Sequence, residues 1–252
     1  MTEAAESTGL RASPADLISV VVPVCNEAEN VGPLAAEIAA ALASRPFEIL
    51  FIDDGSTDDT AAAVLRTRAA GIAQTRLLRH SFRSGQSAAV CTGVRAARGS
   101  WIATLDGDGQ NDPADIPKLL EAASNERDVR LVMGNRVSRQ DTWMRHVQSR
   151  IANGIRGWLL GDGTPDTGCG IKVMHRDTFM ELPRFDHMHR FLPALFQRAG
   201  ARVISVPVGH RSRQRGQSKY GLFDRLWVGI VDIFGVMWLR RRFTPGLRVH
   251  EE

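Results

Sequence analysis

The sequence predicts one α/β domain with a mostly parallel central sheet flanked by helices. Three observations carry that expectation. Short β-branched runs alternate with helix-length amphipathic segments, the pattern of a parallel sheet with right-handed crossovers. The runs lack period-two alternation, as strands covered on both faces do. Acidic clusters follow three of the runs directly, at the carboxyl ends of strands where such sheets place their ligands.

"ISVVVPV" (18–24) is the first expected strand, followed by Glu27. A helix starts between Asn26 and Asn30 and carries Val31, Leu34, Ile38 and Leu42 at helical spacing. "FEILFID" (47–53) is the second strand and runs into "DDGSTDDT", where Ser56 and Thr57 are the expected caps of a helix through Val64 and Leu65 to Gly71. "TRLLRH" reads as a third strand, "SGQSAAVCTGVRAARG" as a third helix and "WIATLD" as the fourth strand, ending on Asp106 with Asp108 just beyond. "VRLVMGNR" (129–136) is a further strand, and residues 142–161 are an amphipathic helix with Trp143, Val147, Ile151, Ile155 and Trp158 on one side. "PDTGCGIKVMHRD" and "RVISVPVGHRSRQRGQSKYG" are strand-and-loop segments. No internal repeat or low-complexity linker divides the chain.

The 252 residues allow a sizeable core. The formal net charge is +4, yet from Arg202 onward ten Lys or Arg stand against four Asp or Glu, so the positive charge gathers near the C-terminus. That asymmetry points to an anionic partner there. Cys25, Cys91 and Cys169 are far apart and lack metal-ligand spacing, which excludes a disulfide framework and fits reduced thiols in a cytoplasmic setting. Residues 1–16 are small and polar, without the basic start and apolar core of a signal peptide, and read as a loose tail. No stretch reaches the ~18 apolar residues of a spanning helix. The closest, Leu226 to Leu239, is interrupted by Asp232.

Asp106 and Asp108 in "TLDGDGQNDP" raise each other's cost of ionisation. A hard divalent cation, Mg²⁺ or Mn²⁺, would relieve that cost, bound by the two carboxylates and Gln110 together with a substrate phosphate. Taken alone, an Asx turn after a strand explains the pair equally well. Asp53, at a strand end rather than in a helix cap, can accept hydrogen bonds from a nucleobase, although acids near a helix start also suit the macrodipole. Arg136, the set Arg145, Ser149 and Arg150, and the set Arg211, Arg213, Arg215 and Lys219 have the forked or point-charge donors that hold phosphate. Singly, each is as well read as solvated surface charge.

"VVPVCNEAENV", "FIDDGSTDDT", "TLDGDGQNDP", "GNR", "DTGCGIKVM" and "HRSRQRGQSKYG" stand in this order across residues 17–240. In this the sequence resembles the family-2 glycosyltransferases, most closely the dolichyl- or polyprenyl-phosphate sugar synthase branch that includes dolichol-phosphate mannosyltransferases. The resemblance implies a nucleotide-sugar transferase domain of GT-A type over 17–221. It implies inverting transfer of a sugar from a nucleoside diphosphate to a polyprenyl phosphate at the cytoplasmic membrane face. Pro23, Glu27 and Asp53 would hold base and ribose, with the Gly107 backbone close by. Asp106, Asp108 and Gln110 would carry the divalent metal, Asp106 also meeting the donor nucleotide. Arg213 and Lys219 would grip phosphates. Arg136, with Arg145 and Ser149, would receive the acceptor phosphate, so the catalytic set is Asp108, Arg136, Arg213 and Lys219. Cys25 stands where the family usually has tyrosine.

Residues 222–243 are expected to form a helix in the headgroup region, with Leu226, Ile230, Ile233, Phe234 and Met237 on one face, Arg225 and Asp232 on another, and three arginines following. An ordinary core helix with a basic end is the competing reading, and 244–252 is a tail. Relatives in this branch continue into spanning helices, so the expected attachment is peripheral, with a membrane-protein partner or a homo-oligomer left open. Two rivals remain at this stage. One keeps the fold and donor but uses a saccharide hydroxyl as acceptor, with Asp166 as general base. The other is a basic nucleic-acid-binding module, disfavoured because the single tyrosine leaves few stacking aromatics among the basic residues.

Overall fold

A computed structural model describes residues 17–126, 128–136, 157, 159–211 and 222–242, with the backbone alone for 222–228 and 230. Of the expected helix over 142–161, residues 142–156 and 158, with Arg145 and Ser149, lie outside the described residues, as does the loop carrying Arg213, Arg215 and Lys219.

Seven strands form one sheet: β1 (Ile18–Val24), β2 (Phe47–Asp53), β3 (Thr75–Arg79), β4 (Trp101–Thr104), β5 (Val129–Arg136), β6 (Lys172–His175) and β7 (Arg202–Val208). Their order is β3-β2-β1-β4-β6-β5-β7. All neighbours pair in parallel except β6, which runs antiparallel between β4 and β5. The helices are α1 (Ala28–Ala41), α2 (Thr60–Ala69), α3 (Gln86–Ala96), α4 (Ile116–Ser124), α5 (Arg176–Met180), α6 (Leu192–Arg198) and α7 (Leu222–Arg241), with 3₁₀ turns at 113–115 and 188–190.

The unbroken apolar strands are covered on both sides, as their lack of alternation requires. Val20, Val22, Ile49, Phe51, Ala103 and Val173 pack under α1, α2 and α4, whose inward residues include Val31, Ile38, Val64 and Leu119. Val21, Leu50, Ile52, Ile102 and Met174 face the opposite layer, where Val90 and Val94 of α3 meet Phe179, Leu195, Phe196 and Val236.

Two local expectations are corrected. Ser56 and Thr57 do not cap α2, which starts at Thr60 without a side-chain cap bond from its N-cap residue. The Ser56 hydroxyl accepts from the Asn26 amide at 2.9 Å, and the Thr57 amide donates to Asn26 Oδ1 at 2.8 Å. These residues therefore sew the β2–α2 loop to the β1–α1 loop, with Asn26 held at φ 54°. The second correction concerns α7. Its apolar residues do not share one face: Ile233, Val236 and Met237 pack on the core, while Val231, Phe234 and Trp238 are exposed. Asp232 lies half-buried on the inward side, 3.1 Å from His187 Nδ1. A 20-residue helix with inward residues on one side and exposed apolar ones on the other is neither a pure core helix nor a free amphipathic one.

Candidate active site

Strand register brings the acidic clusters to one edge. Val24 pairs with Asp53, and Asp53 in turn with Arg79. β4 stops at Thr104, opposite Val21, so the chain from Leu105 runs on beside the last residues of β1. A methyl at Gly107 would collide with the Val24 side chain and come within 2.8 Å of the Pro23 carbonyl, and glycine alone lets that turn lie against β1. This places Gly107 next to Pro23, with Asp106 and Asp108 on either side of the close approach.

Asp106 anchors the turn. Its Oδ1 accepts from Gln86 Nε2 at 2.8 Å, on the first residue of α3, and its amide donates to Asn111 Oδ1 at 3.2 Å. Its Oδ2 lies in a niche at Gly170, where a methyl would run into both that oxygen and Asn111 Oδ1. Burial pushes the Asp106 carboxyl up, and Asp108 adds to the shift, against Lys172, Gln86 and Arg136. Asp108 Oδ1 accepts from the Gln110 amide at 3.1 Å. The Gln110 carbonyl accepts from the Arg211 amide at 3.0 Å.

Cations compensate from beneath and beside. Lys172, the first residue of β6, is buried, donates to the Cys169 carbonyl and sits in the field of Asp106 and Asp166. Burial presses its pKa down, and those carboxylates oppose the shift. Arg136, the last residue of β5, holds Asp166 through Nε–Oδ2 at 2.6 Å and Nη2–Oδ1 at 2.8 Å. Burial works against its charge, but Asp166 more than offsets that and raises its pKa. Sequence reasoning missed Lys172, whose only signal was a charged residue inside the apolar run "GIKVM", and Gln86, which reads as an ordinary first-turn residue.

The Asp53–Asp54 half of the edge is equally tied. Asp53 is buried, with Oδ1 accepting from the Ser56 amide at 2.9 Å and Oδ2 from Arg79 Nε at 3.0 Å. Each oxygen keeps a second lone pair for another donor. Asp54 accepts from the Ser84 and Gly85 amides, each at 2.8 Å, and lies 2.8 Å from His80 Nδ1. Burial opposes its ionisation, but these bonds win and hold it below its ordinary value. The Glu27 carboxylate accepts from Asn30 Nδ2 at 2.6 Å, and its amide donates to Thr60 Oγ1. Arg211, grouped by sequence with the phosphate-binding arginines, instead bridges Glu37 at 2.6 Å and Asp112 at 2.7 Å. It braces the acidic loop against α1.

The described residues contain no cluster of three or more His, Cys, Asp or Glu side chains with metal-holding geometry. The donor set around Asp106 and Asp108 is nonetheless two carboxylates and an amide on one turn, with a niche at Gly170 that fits a carboxylate oxygen. All are hard oxygens, and a hard divalent cation held partly by substrate phosphates needs no more from the protein. The residues fit such an ion.

Glycosyl transferase family 2 matches residues 19–183. A dodecaprenyl-phosphate galacturonate synthase of Rhizobium johnstonii is 36% identical over 235 residues, covering 91% of this chain and 69% of that protein. An undecaprenyl-phosphate 4-deoxy-4-formamido-L-arabinose transferase of Edwardsiella ictaluri is 35% identical over 210 residues, covering 81% of this chain and 63% of its own length. Among solved structures, glucosyl-3-phosphoglycerate synthase of Mycobacterium tuberculosis with Mn²⁺, UDP and phosphoglyceric acid superposes with TM-score 0.68 at 19% identity, over 92% of this chain and 80% of that one. At that identity the likeness establishes the GT-A fold and nothing further. With two thirds of its residues matched by the family and a relative this similar over most of its length, the chain belongs to glycosyl transferase family 2.

Proposed function

We propose that the protein is an inverting, divalent-metal-dependent glycosyltransferase that moves a sugar from a nucleoside diphosphate to a polyprenyl phosphate. The observation that carries this reading is the Asp106–Asp108 turn at the carboxyl edge of β4, flanked by Lys172 and by Arg136. Such an edge suits two anions that must meet: a diphosphate leaving group and an incoming phosphate. The relatives whose names specify dodecaprenyl or undecaprenyl phosphate support the acceptor class.

Pro23, Glu27, Asp53 and Gly107 form the nucleotide end of the cleft, with Asp53 offering its remaining lone pairs to the base. Asp106, Asp108 and Gln110 would hold the metal, which when bound neutralises charge on the leaving diphosphate. Arg136 presents the acceptor phosphate with a guanidinium already fixed by Asp166. Arg145, Ser149, Arg213 and Lys219, outside the described residues, complete the phosphate contacts. A lipid phosphate oxygen attacks the anomeric carbon in line, the bond to the diphosphate breaks, and configuration inverts. The nucleophile is already anionic, so positioning and charge shielding replace a general base. The rival with a hydroxyl acceptor needs Asp166 as base, whereas Asp166 commits its charge to Arg136 through a two-bond fork that leaves each oxygen one lone pair.

The acceptor is a lipid, and no helix among the described residues is long and apolar enough to cross a membrane. The exposed face of α7 supplies the contact instead: Val231, Phe234 and Trp238, followed by exposed Arg241 and Arg242. Aromatic and aliphatic residues beside arginines suit the headgroup layer of an anionic membrane, here the inner face, where nucleotide sugars are available.

Calorimetric titration of UDP and GDP, with and without Mn²⁺, on wild type and Asp108→Ala tests the donor site. Metal-dependent binding of one nucleotide, lost in the variant, is expected. Binding of neither nucleotide to wild type would overturn the reading.

A further inference from the structure

Two neighbouring residues at the start of α3 reach two different segments of the chain, the Asp106 turn and the 188–190 turn. Gln86 bonds Asp106 at 2.8 Å, and Ser87 Oγ lies 2.7 Å from His189 Nδ1. Ser87 Oγ also accepts from the His189 amide at 3.3 Å. The hydroxyl has one proton, and among the described residues its only acceptor is His189 Nδ1. Nδ1 therefore accepts, and the imidazole proton sits on Nε2.

No described residue pairs with Nε2, and His189 keeps part of its surface open. Burial, with Lys172, Arg190 and His187 adding to it, takes the His189 pKa down to about 3. The ring is thus a neutral, oriented N–H donor throughout the physiological range. Its support is rigid from both sides: Ser87 fixes one edge of the 188–190 turn, and Asp232 of α7 holds the preceding residue, His187, at φ 61°.

We infer that His189 donates its Nε2 hydrogen to an oxygen of the transferred sugar, with Ser87 as the positioning residue that sets the tautomer. The inference rests on the donor-site reading above. The phosphates of that site would be matched by cations, namely Arg136 and the metal that Asp106 would hold, with Lys172 buried behind that carboxylate. A neutral donor adds no charge complement for them, but it suits a hydroxyl or ring oxygen whose direction must be fixed. A histidine serving only to pack Ser87 would affect stability alone.

The test measures Mn²⁺-dependent binding of UDP, UDP-galacturonate, GDP and GDP-mannose to wild type, His189→Ala and His189→Gln, and scores the diphosphate and sugar-diphosphate pair that wild type binds. In His189→Ala the free diphosphate should bind within twofold of wild type, while the sugar nucleotide weakens about three- to tenfold, the range of one neutral hydrogen bond. Gln retains an N–H donor at similar volume and should restore part of the loss. In Ser87→Ala, ¹⁵N spectra should show the His189 tautomer becoming mixed, and Ser87→Thr should restore it. Equal weakening of diphosphate and sugar nucleotide in His189→Ala, or no weakening of either, would overturn the inference. Failure of wild type to bind any of the four probes would instead overturn the donor-site reading itself.

Discussion

Arg136 and Asp166 face each other across the end of β5 in a two-bond fork, Nε–Oδ2 at 2.6 Å and Nη2–Oδ1 at 2.8 Å, with side chains only 13% and 8% exposed. Thirty residues separate them in sequence, and the sheet order makes the meeting possible: β6 returns antiparallel between β4 and β5 and carries the Asp166 segment back to the carboxyl edge. In the proposed reaction the pair would fix a guanidinium for the incoming phosphate, and that guanidinium would not have to be ordered at the moment of binding.

Asp166→Ala should therefore cost more than a surface ion pair. It leaves a mostly buried guanidinium uncompensated, a loss of about 3 kcal/mol, to be read from urea unfolding. Transfer should fall much further than Mn²⁺-dependent nucleotide binding, because in the proposed reaction the affected cation meets the acceptor phosphate. Unchanged stability would mean that the fork contributes nothing to the fold.

Gly170→Ala tests the niche under the carboxylate pair. The added methyl would occupy the space of Asp106 Oδ2 and Asn111 Oδ1, and overpacking of this kind costs about 1–3 kcal/mol. The expected signature is loss of Mn²⁺-dependent nucleotide binding by more than about tenfold in a protein that still unfolds cooperatively. Retained binding would place the functional carboxylate oxygen elsewhere.

The pKa of His189 has a sign that stability can report. Its native value, about 3, lies below the ordinary 6.5. Below pH 6.5 the unfolded chain takes up a proton that the native state refuses. The stability this histidine leaves intact above pH 6.5 is thus lost as pH falls from 6.5 toward 3. His189→Gln should flatten that part of the stability–pH curve by about 2–4 kcal/mol, after discounting for its partial exposure. Parallel curves for wild type and variant would show that the ring titrates normally.

Much of the fold was legible because both-face burial leaves an unambiguous mark: "ISVVVPV" and "FEILFID" became β1 and β2 with the expected bounds. The acidic strand ends were legible for the same reason. What escaped were relationships between segments far apart in sequence. Ser56 and Thr57 look like caps, yet Asn26 claims them from 30 and 31 residues away. Arg211 looks like a phosphate ligand, yet Glu37 and Asp112 neutralise it. Lys172 looks like a stray charge in a strand, and only the pairing of β6 with β4 brings it under Asp106. On α7 the helical period was right, but which apolar residues faced in depended on where His187 and Leu195 lay, and no local pattern encodes that.

The outward face of α7 makes a separate prediction. Phe234 and Trp238 are 64% and 60% exposed, so replacing both with serine should leave thermal stability nearly unchanged. Binding to vesicles of anionic lipid should drop, and the blue shift of tryptophan fluorescence on vesicle addition should disappear. Equal vesicle binding by variant and wild type would move the membrane contact to another surface.

The central claim is sugar transfer to a lipid phosphate through the Asp106–Asp108 turn. Its most direct test incubates the protein with Mn²⁺, a nucleotide sugar that it binds and undecaprenyl phosphate in detergent, then analyses the lipid fraction by mass spectrometry. The account predicts a glycosyl phospholipid with wild type and none with Asp108→Ala, while Arg136→Ala still binds nucleotide but forms little product. Sugar appearing on a saccharide hydroxyl with the lipid phosphate unmodified would contradict it.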